Sequence, residues 1–167
     1  MTDLQIEYKC TLIEHARISH SLAAKIKTEP MDADWLQRLD ETKDYEGRTD
    51  LEELDKRLLS FGGGRTLIFS KEVPPNEVQR LLQRGQFWPG SKARMQRMET
   101  SRCHGNAACL MREGIGSVVN GFALSKDGLW RNHSWLLKPD GSLIETTVRR
   151  KAYYGAVLTP EEVKTEY

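Results

Sequence analysis

The chain has 167 residues, with 25 Lys and Arg against 24 Asp and Glu and a formal net charge of +1. That length holds one real core with a helical accessory layer rather than two full domains. The charge balance excludes a global field that would gather nucleic acid or an anionic membrane.

The opening Met1-Thr2-Asp3-Leu4-Gln5-Ile6-Glu7 has no basic region leading into an apolar run. No later segment approaches the roughly eighteen uninterrupted apolar residues of a membrane span. Cys10, Cys103 and Cys109 are odd in number and lack framework spacing, so free thiols in a reducing cytosol are expected.

From Leu4 to Lys27 apolar residues recur mostly at three and four, which predicts an amphipathic helix ending before Pro30. Its His15 and His20 lie five apart, off a shared face, and read as surface or half-buried side chains. Asp32 or Asp34 can cap a second helix carrying Trp35, Leu36 and Leu39. Thr49 or Asp50 can cap a third with Leu51, Leu54, Leu58 and Leu59, Thr49 and Glu52 having capping-box spacing. Residues 1–61 are therefore expected as a helical appendage and 62–167 as the core, in one compact unit.

Gly62-Gly63-Gly64 breaks the helical period. Without a following Gly-Lys-Ser/Thr it reads as a turn or hinge rather than a phosphate loop. Thr66 to Ser70 predicts a short strand, and Pro74-Pro75 starts a helix that ends at Gly85. Phe87-Trp88-Pro89-Gly90 reads as a turn with exposed aromatics. Lys92, Arg94 and Arg97 form a local basic cluster that could meet RNA, but no nucleic-acid module accompanies it and nucleic acid is not the expected partner.

The most informative stretch runs from Ser101 to Thr147. Thr100 or Ser101 is a suitable cap for a helix from Cys103 to Arg112, placing Cys103 in the first turn, where free amides and the helix dipole favour a thiolate. Cys109 falls inside the same helix and is expected to be buried. Ser117–Leu124, the Lys126-Asp127-Gly128 turn, Leu129–Leu137, the Pro139-Asp140-Gly141 turn and Ser142–Val148 predict an antiparallel meander. Alternation puts His133 and Trp135 on one face of a strand and Glu145 on a face of the next. The order thiol, imidazole, carboxylate is the one a cysteine nucleophile, its base and an orienting acid require. Tyr153–Ala156 reads as a final strand or turn, followed by a capped short helix at Thr159-Pro160-Glu161-Glu162.

A cysteine opening a helix, then His-x-Trp on a strand, then an acidic residue and Thr on the next strand, resembles the papain-like superfamily, and within it the transglutaminase-like group. Asn132-His133-Ser134-Trp135 looks like that group's His-Ala-Trp strand, and Ile144-Glu145-Thr146-Thr147 like its closing acidic strand. Glu145 stands where the group has Asp, and His104-Gly105-Asn106 is not its usual surround. The resemblance spans roughly a third of the chain.

It implies an α+β fold, with a helical N-terminal layer followed by an antiparallel sheet packed on the nucleophile-bearing helix. It also implies that Cys103 attacks an acyl carbon, His133 moves the proton and Glu145 holds the imidazole. Gln96 and Asn106 are then candidates for the oxyanion donor, and Trp130 and Trp135 for walls of the site.

The implied activity is that of an amide hydrolase or acyl transferase on a protein or peptide, with no cofactor, metal or membrane. Cys103, His104, Cys109 and His133 are also zinc-type donors, at spacings unlike paired zinc ligands. A second reading makes the chain a non-enzymatic binding or inhibitor protein.

Overall fold

The chain's computed structural model describes Ile26, Tyr45 and residues 47–69 and 73–167. The two helices expected before Tyr45, with Cys10, His15 and His20, lie outside the described residues. Among the described residues the fold is mixed α+β, with four helices and one curled seven-stranded sheet. None of these helices is long and apolar enough to cross a membrane.

The first described helix, α1 (Thr49–Ser60), places Leu51, Leu54 and Leu58 on one face at spacings of three and four, and all three are fully buried. They share a core with Val78, Leu81, Phe122, Trp130 and Tyr154, so this helix is built into the body of the protein. Its expected Thr49 cap is not used. Arg48 occupies the cap position and ties the helix start to Asp50 at 2.7 Å and to the Val73 carbonyl at 2.9 Å.

The glycine run is a packed crossing. Gly62 and Gly63 adopt φ of 118° and 85°, the left-handed range in which glycine is favoured, and the Gly62 carbonyl accepts from the Trp130 indole at 2.8 Å. Strand β1 is confined to Arg65–Leu67. Helix α2 (Pro75–Arg84) starts on its proline as expected and buries Val78 and Leu81.

Two expectations about the next segment are corrected. Gln86–Pro89 is a strand, β2, whose aromatics are half-buried: Phe87 stacks on Phe61 at 4.8 Å and Trp88 meets the edge of Trp135 at 5.9 Å. Ala93–Met95 is a further strand, β3. Lys92, Arg94 and Arg97 are exposed around it.

In helix α3 (Cys103–Arg112) the cap position falls to Arg102, without a side-chain cap bond, and not to Thr100 or Ser101; Ser101 turns the chain just before it with a φ of 60°. Strands β4 (Ser117–Leu124) and β5 (Leu129–Leu137) form the expected hairpin, with Gly128 at φ 85° in the turn. Strand β6 is shorter than expected, Leu143–Glu145. Strand β7 (Ala152–Val157) lies between β2 and β4, and α4 (Pro160–Glu166) opens with a complete Thr159–Glu162 capping box.

The sheet order is β2-β7-β4-β5-β6-β3, with β1 attached to β5 off that path. An all-antiparallel sheet was expected. In fact β1 runs parallel to β5 and β3 parallel to β6, each pairing with a strand some fifty to sixty residues further along the chain with other strands in between.

Even-numbered residues of the long strands, among them Phe122, Trp130 and Tyr154, face α1 and α2, while Val118 and Leu136 face Ala107 and Leu110 of α3. The odd-numbered Val119, Ala123, Trp135 and Tyr153 fill the inside of the curl. Gly121 and Gly155 sit opposite each other there, and a Cβ on Gly155 would lie 2.6 Å from the Trp135 ring and 2.7 Å from the Asn120 carbonyl.

Gly155→Ala is therefore expected to destabilise the protein by about 1–3 kcal/mol through overpacking against a backbone atom that cannot yield. Chemical denaturation measures this as a lower midpoint, and an unchanged midpoint would mean that the curl relaxes freely at this point.

Candidate active site

The site is built where β5 changes neighbours. One edge of β5 pairs with β4 along Trp130–Leu137. The other is shared, Leu129–Arg131 with β1 and Leu136–Leu137 with β6, so among the described residues no strand pairs with Asn132 to Trp135 on that side. The start of α3 fills the gap. From there Cys103 reaches His133 on the inner face of the sheet, and His104 reaches Ser134 on the outer face.

His133 and Glu145 form the buried centre. His133 Nε2 lies 2.8 Å from Glu145 Oε2, and their side chains are 2% and 0% exposed. The carboxylate is fully met: Oε2 also accepts from the Tyr153 hydroxyl at 3.0 Å, and Oε1 accepts from the Thr147 amide at 2.8 Å and the Thr147 hydroxyl at 2.9 Å.

Burial pushes the Glu145 carboxyl up, but His133 and the Thr147 donors outweigh it and hold it below the ordinary carboxylate value. Nε2 of His133 accordingly donates to Glu145, and Nδ1 is the nitrogen left for Cys103. Burial pulls the imidazole down, yet Cys103 and Glu145 together raise it. The ring is walled by Trp135, stacked at 6.2 Å, and by Tyr153 at 6.4 Å.

Cys103 is half-exposed and opens α3, where the first-turn amides have no intrahelical acceptor. Burial pushes its thiol up, but the hydrogen bonds of His104 and His133 and their charges bring it down to about 5. Such a thiol is a thiolate at neutral pH and a nucleophile. His104 is itself raised, first by its hydrogen bond to Cys103.

The expected triad members are thus brought together, whereas the other candidates take different places. Trp135 walls His133 from inside the core. Trp130 is fully buried and bonded to Gly62, away from the site. Asn106 is buried and donates to the Glu99 carbonyl at 2.7 Å and to Thr146 at 3.3 Å, so both of these bonds of its amide brace the helix start. The Gln96 side chain is exposed, and its backbone amide bonds the Glu145 carbonyl at 2.9 Å.

Cys109 is exposed rather than buried and leans on Glu113 at 3.6 Å, so it does not join a zinc set with Cys103 and the histidines. Among the described residues no group of three or more His, Cys, Asp or Glu side chains is arranged to hold a metal.

Sequence reasoning missed the groups on the outer face. Ser134 lies 2.6 Å from His104 Nδ1 and donates to Asn120 Oδ1 at 2.6 Å, and the Tyr167 hydroxyl donates to the same oxygen at 2.9 Å. A cleft of about 640 Å³ adjoins this chain, lined by Asn76, Glu77, His104, Asn120, Asn132 and Tyr167 among others. The signal for Asn120 was available as a lone carboxamide inside the apolar run Val118–Leu124. For His104 it was adjacency to the thiol.

Alkylation of Cys103 by iodoacetamide is expected to follow a titration centred near 5. In His133→Ala the midpoint should move towards the free-thiol value of about 8.5. An unmoved midpoint would separate the two groups.

Because Glu145 titrates below its ordinary 4.5 when folded, its stabilisation is present above that value and is lost as pH falls through the folded pKa. Glu145→Gln should abolish this part of the acid limb in a stability–pH series. It should also cost about 3–5 kcal/mol at neutral pH, because it breaks a buried pair.

No protein-family model, curated protein or solved structure matches the chain.

Proposed function

We propose that the protein is a cysteine-dependent amide hydrolase or acyl transferase acting on a protein or peptide, with Cys103, His133 and Glu145 as its catalytic triad. The finer reading of the fold, a papain- or transglutaminase-like core, belongs to the same proposal. The observation that carries it is the shut-off His133–Glu145 pair, 2.8 Å apart, whose remaining ring nitrogen serves a thiol at the first turn of a helix. A buried ion pair of this kind is costly to form and contributes little net stability, which fits a group kept for chemistry.

In this mechanism Glu145 holds the His133 tautomer and stabilises the imidazolium. The Cys103 thiolate attacks the acyl carbon, and the oxyanion is met by free amides at the start of α3. The C–N bond breaks, the amine departs with a proton, and a thioester remains on Cys103. Water then gives hydrolysis, or a second amine gives transfer.

The test is acylation by p-nitrophenyl acetate. One equivalent of nitrophenolate should appear in a burst, with one acetyl group on Cys103 by peptide mapping, and Cys103→Ser should lose the burst. Acetyl groups scattered over other nucleophiles, with Cys103→Ser behaving as wild type, would sink the proposal and leave a protein that works by binding.

A further inference from the structure

The thiol has two imidazoles, and they differ in what a substrate can touch. His133 is 1% exposed, enclosed by Trp135, Tyr153 and Glu145. His104 is exposed and lines the cleft.

The proton positions on His104 follow from a chain of hydrogen bonds. Asn120 Nδ2 donates to Glu166 Oε2 at 2.6 Å, which turns Asn120 Oδ1 towards Ser134. Ser134 spends its one hydroxyl proton on that oxygen and can only accept from His104, so Nδ1 of His104 carries a proton. Nε2 is left on the side of Cys103. A ring nitrogen within hydrogen-bonding reach of the sulfur is also within reach of the group leaving the carbon that the sulfur attacks.

We propose that His104 is a catalytic residue, the acid–base group on the substrate side of the sulfur, while His133 and Glu145 remain the buried partner of the thiolate. The inference rests on the reading of Cys103 as an acylated nucleophile and adds the route of the proton. In acylation the thiolate bonds to the acyl carbon, the C–N bond breaks, and the departing nitrogen takes the proton from His104 Nε2. In deacylation water attacks the thioester carbon and gives a proton to the now neutral Nε2, and the C–S bond breaks to restore the thiolate and release the acid.

The thiolate of Cys103 favours a proton on His104, and the charge of His133 opposes it. The charged and titratable groups facing His104 are Cys103 on its own helix, His133 on β5 and Glu77 on α2, with Glu166 and Tyr167 across the same cleft.

p-Nitrophenyl acetate separates the two roles, because nitrophenolate leaves without needing a proton whereas hydrolysis of the acetyl-enzyme requires a base. In His104→Gln, whose amide can still donate to the thiolate, the burst at pH 8 should keep its one-equivalent amplitude. Steady turnover should fall on the order of 100-fold, and the pH limb of turnover should disappear. His133→Ala should slow the burst in proportion to its smaller thiolate fraction. Ser134→Ala, which removes only the acceptor of Nδ1–H, should keep the burst and slow turnover to a smaller extent.

Turnover and pH profile in His104→Gln matching the wild type would overturn the inference. So would a burst slowed to the rate of His133→Ala, which would make His104 part of thiolate formation alone. A wild-type protein without a burst would instead strike at the nucleophile, a distinguishable failure.

Discussion

A carboxylate sealed from water must find a donor for each of its oxygens, and the fold around Glu145 is arranged to supply them. Tyr153 arrives from β7, Thr147 from the turn after β6, and His133 from β5, so three separate segments are held in register by one side chain. An isolated carboxylate here would cost several kcal/mol. The imidazole of His133 offsets part of that cost, and a further anion beside it favours its charged form. The half-exposed thiolate of Cys103 is that anion. Reactivity of the sulfur and satisfaction of the buried acid are two aspects of one electrostatic arrangement.

Such an arrangement needs a helix end close to the middle of a strand, which a continuous sheet forbids. The sheet solves this by dividing one edge of β5 between two short parallel strands and leaving Asn132–Trp135 uncovered between them. Through that window one helix start touches both faces of the sheet, His133 within and Ser134 without. Two imidazoles on opposite faces then converge on a single sulfur. Gly155 serves the same geometry from the other side, since only bare backbone leaves room for the Trp135 ring that backs His133, and Gly121 opposite it makes room for the Tyr154–Gly155 backbone.

The outer face carries a second network of different character. Around His104 the Cys103 thiolate and Glu77 favour the charged ring, His133 opposes it, and Ser134 is a neutral partner at 2.6 Å; Glu166 receives Arg80 at 2.5 Å. An imidazole open to solvent can exchange its proton there, whereas one enclosed and locked to a buried carboxylate resists doing so. The pair of histidines therefore divides naturally into one that keeps its proton and one that exchanges it.

Much of this was legible from residue order. Period-two alternation put His133 beside Trp135, the turns at Asp127-Gly128 and Asp140-Gly141 set the meander, and the break before Cys103 announced a helix that begins on a thiol. These are local signals, carried within a few residues of backbone. Strands of three residues such as β1 and β3 have no such signature. Their pairing follows from docking against β5 and β6, some fifty or sixty positions away, as does the strand identity of Gln86–Pro89.

The exposure of Cys109 and the cleft role of His104 likewise depended on which side of α3 met the sheet. By itself the amino-acid order determined which chemical groups the protein owns and the sequence in which thiol, imidazole and acid come. The tertiary structure alone decided that they share one window, and which imidazole faces solvent, because contacts between distant segments are set by the packing of whole faces and not by any single stretch of chain.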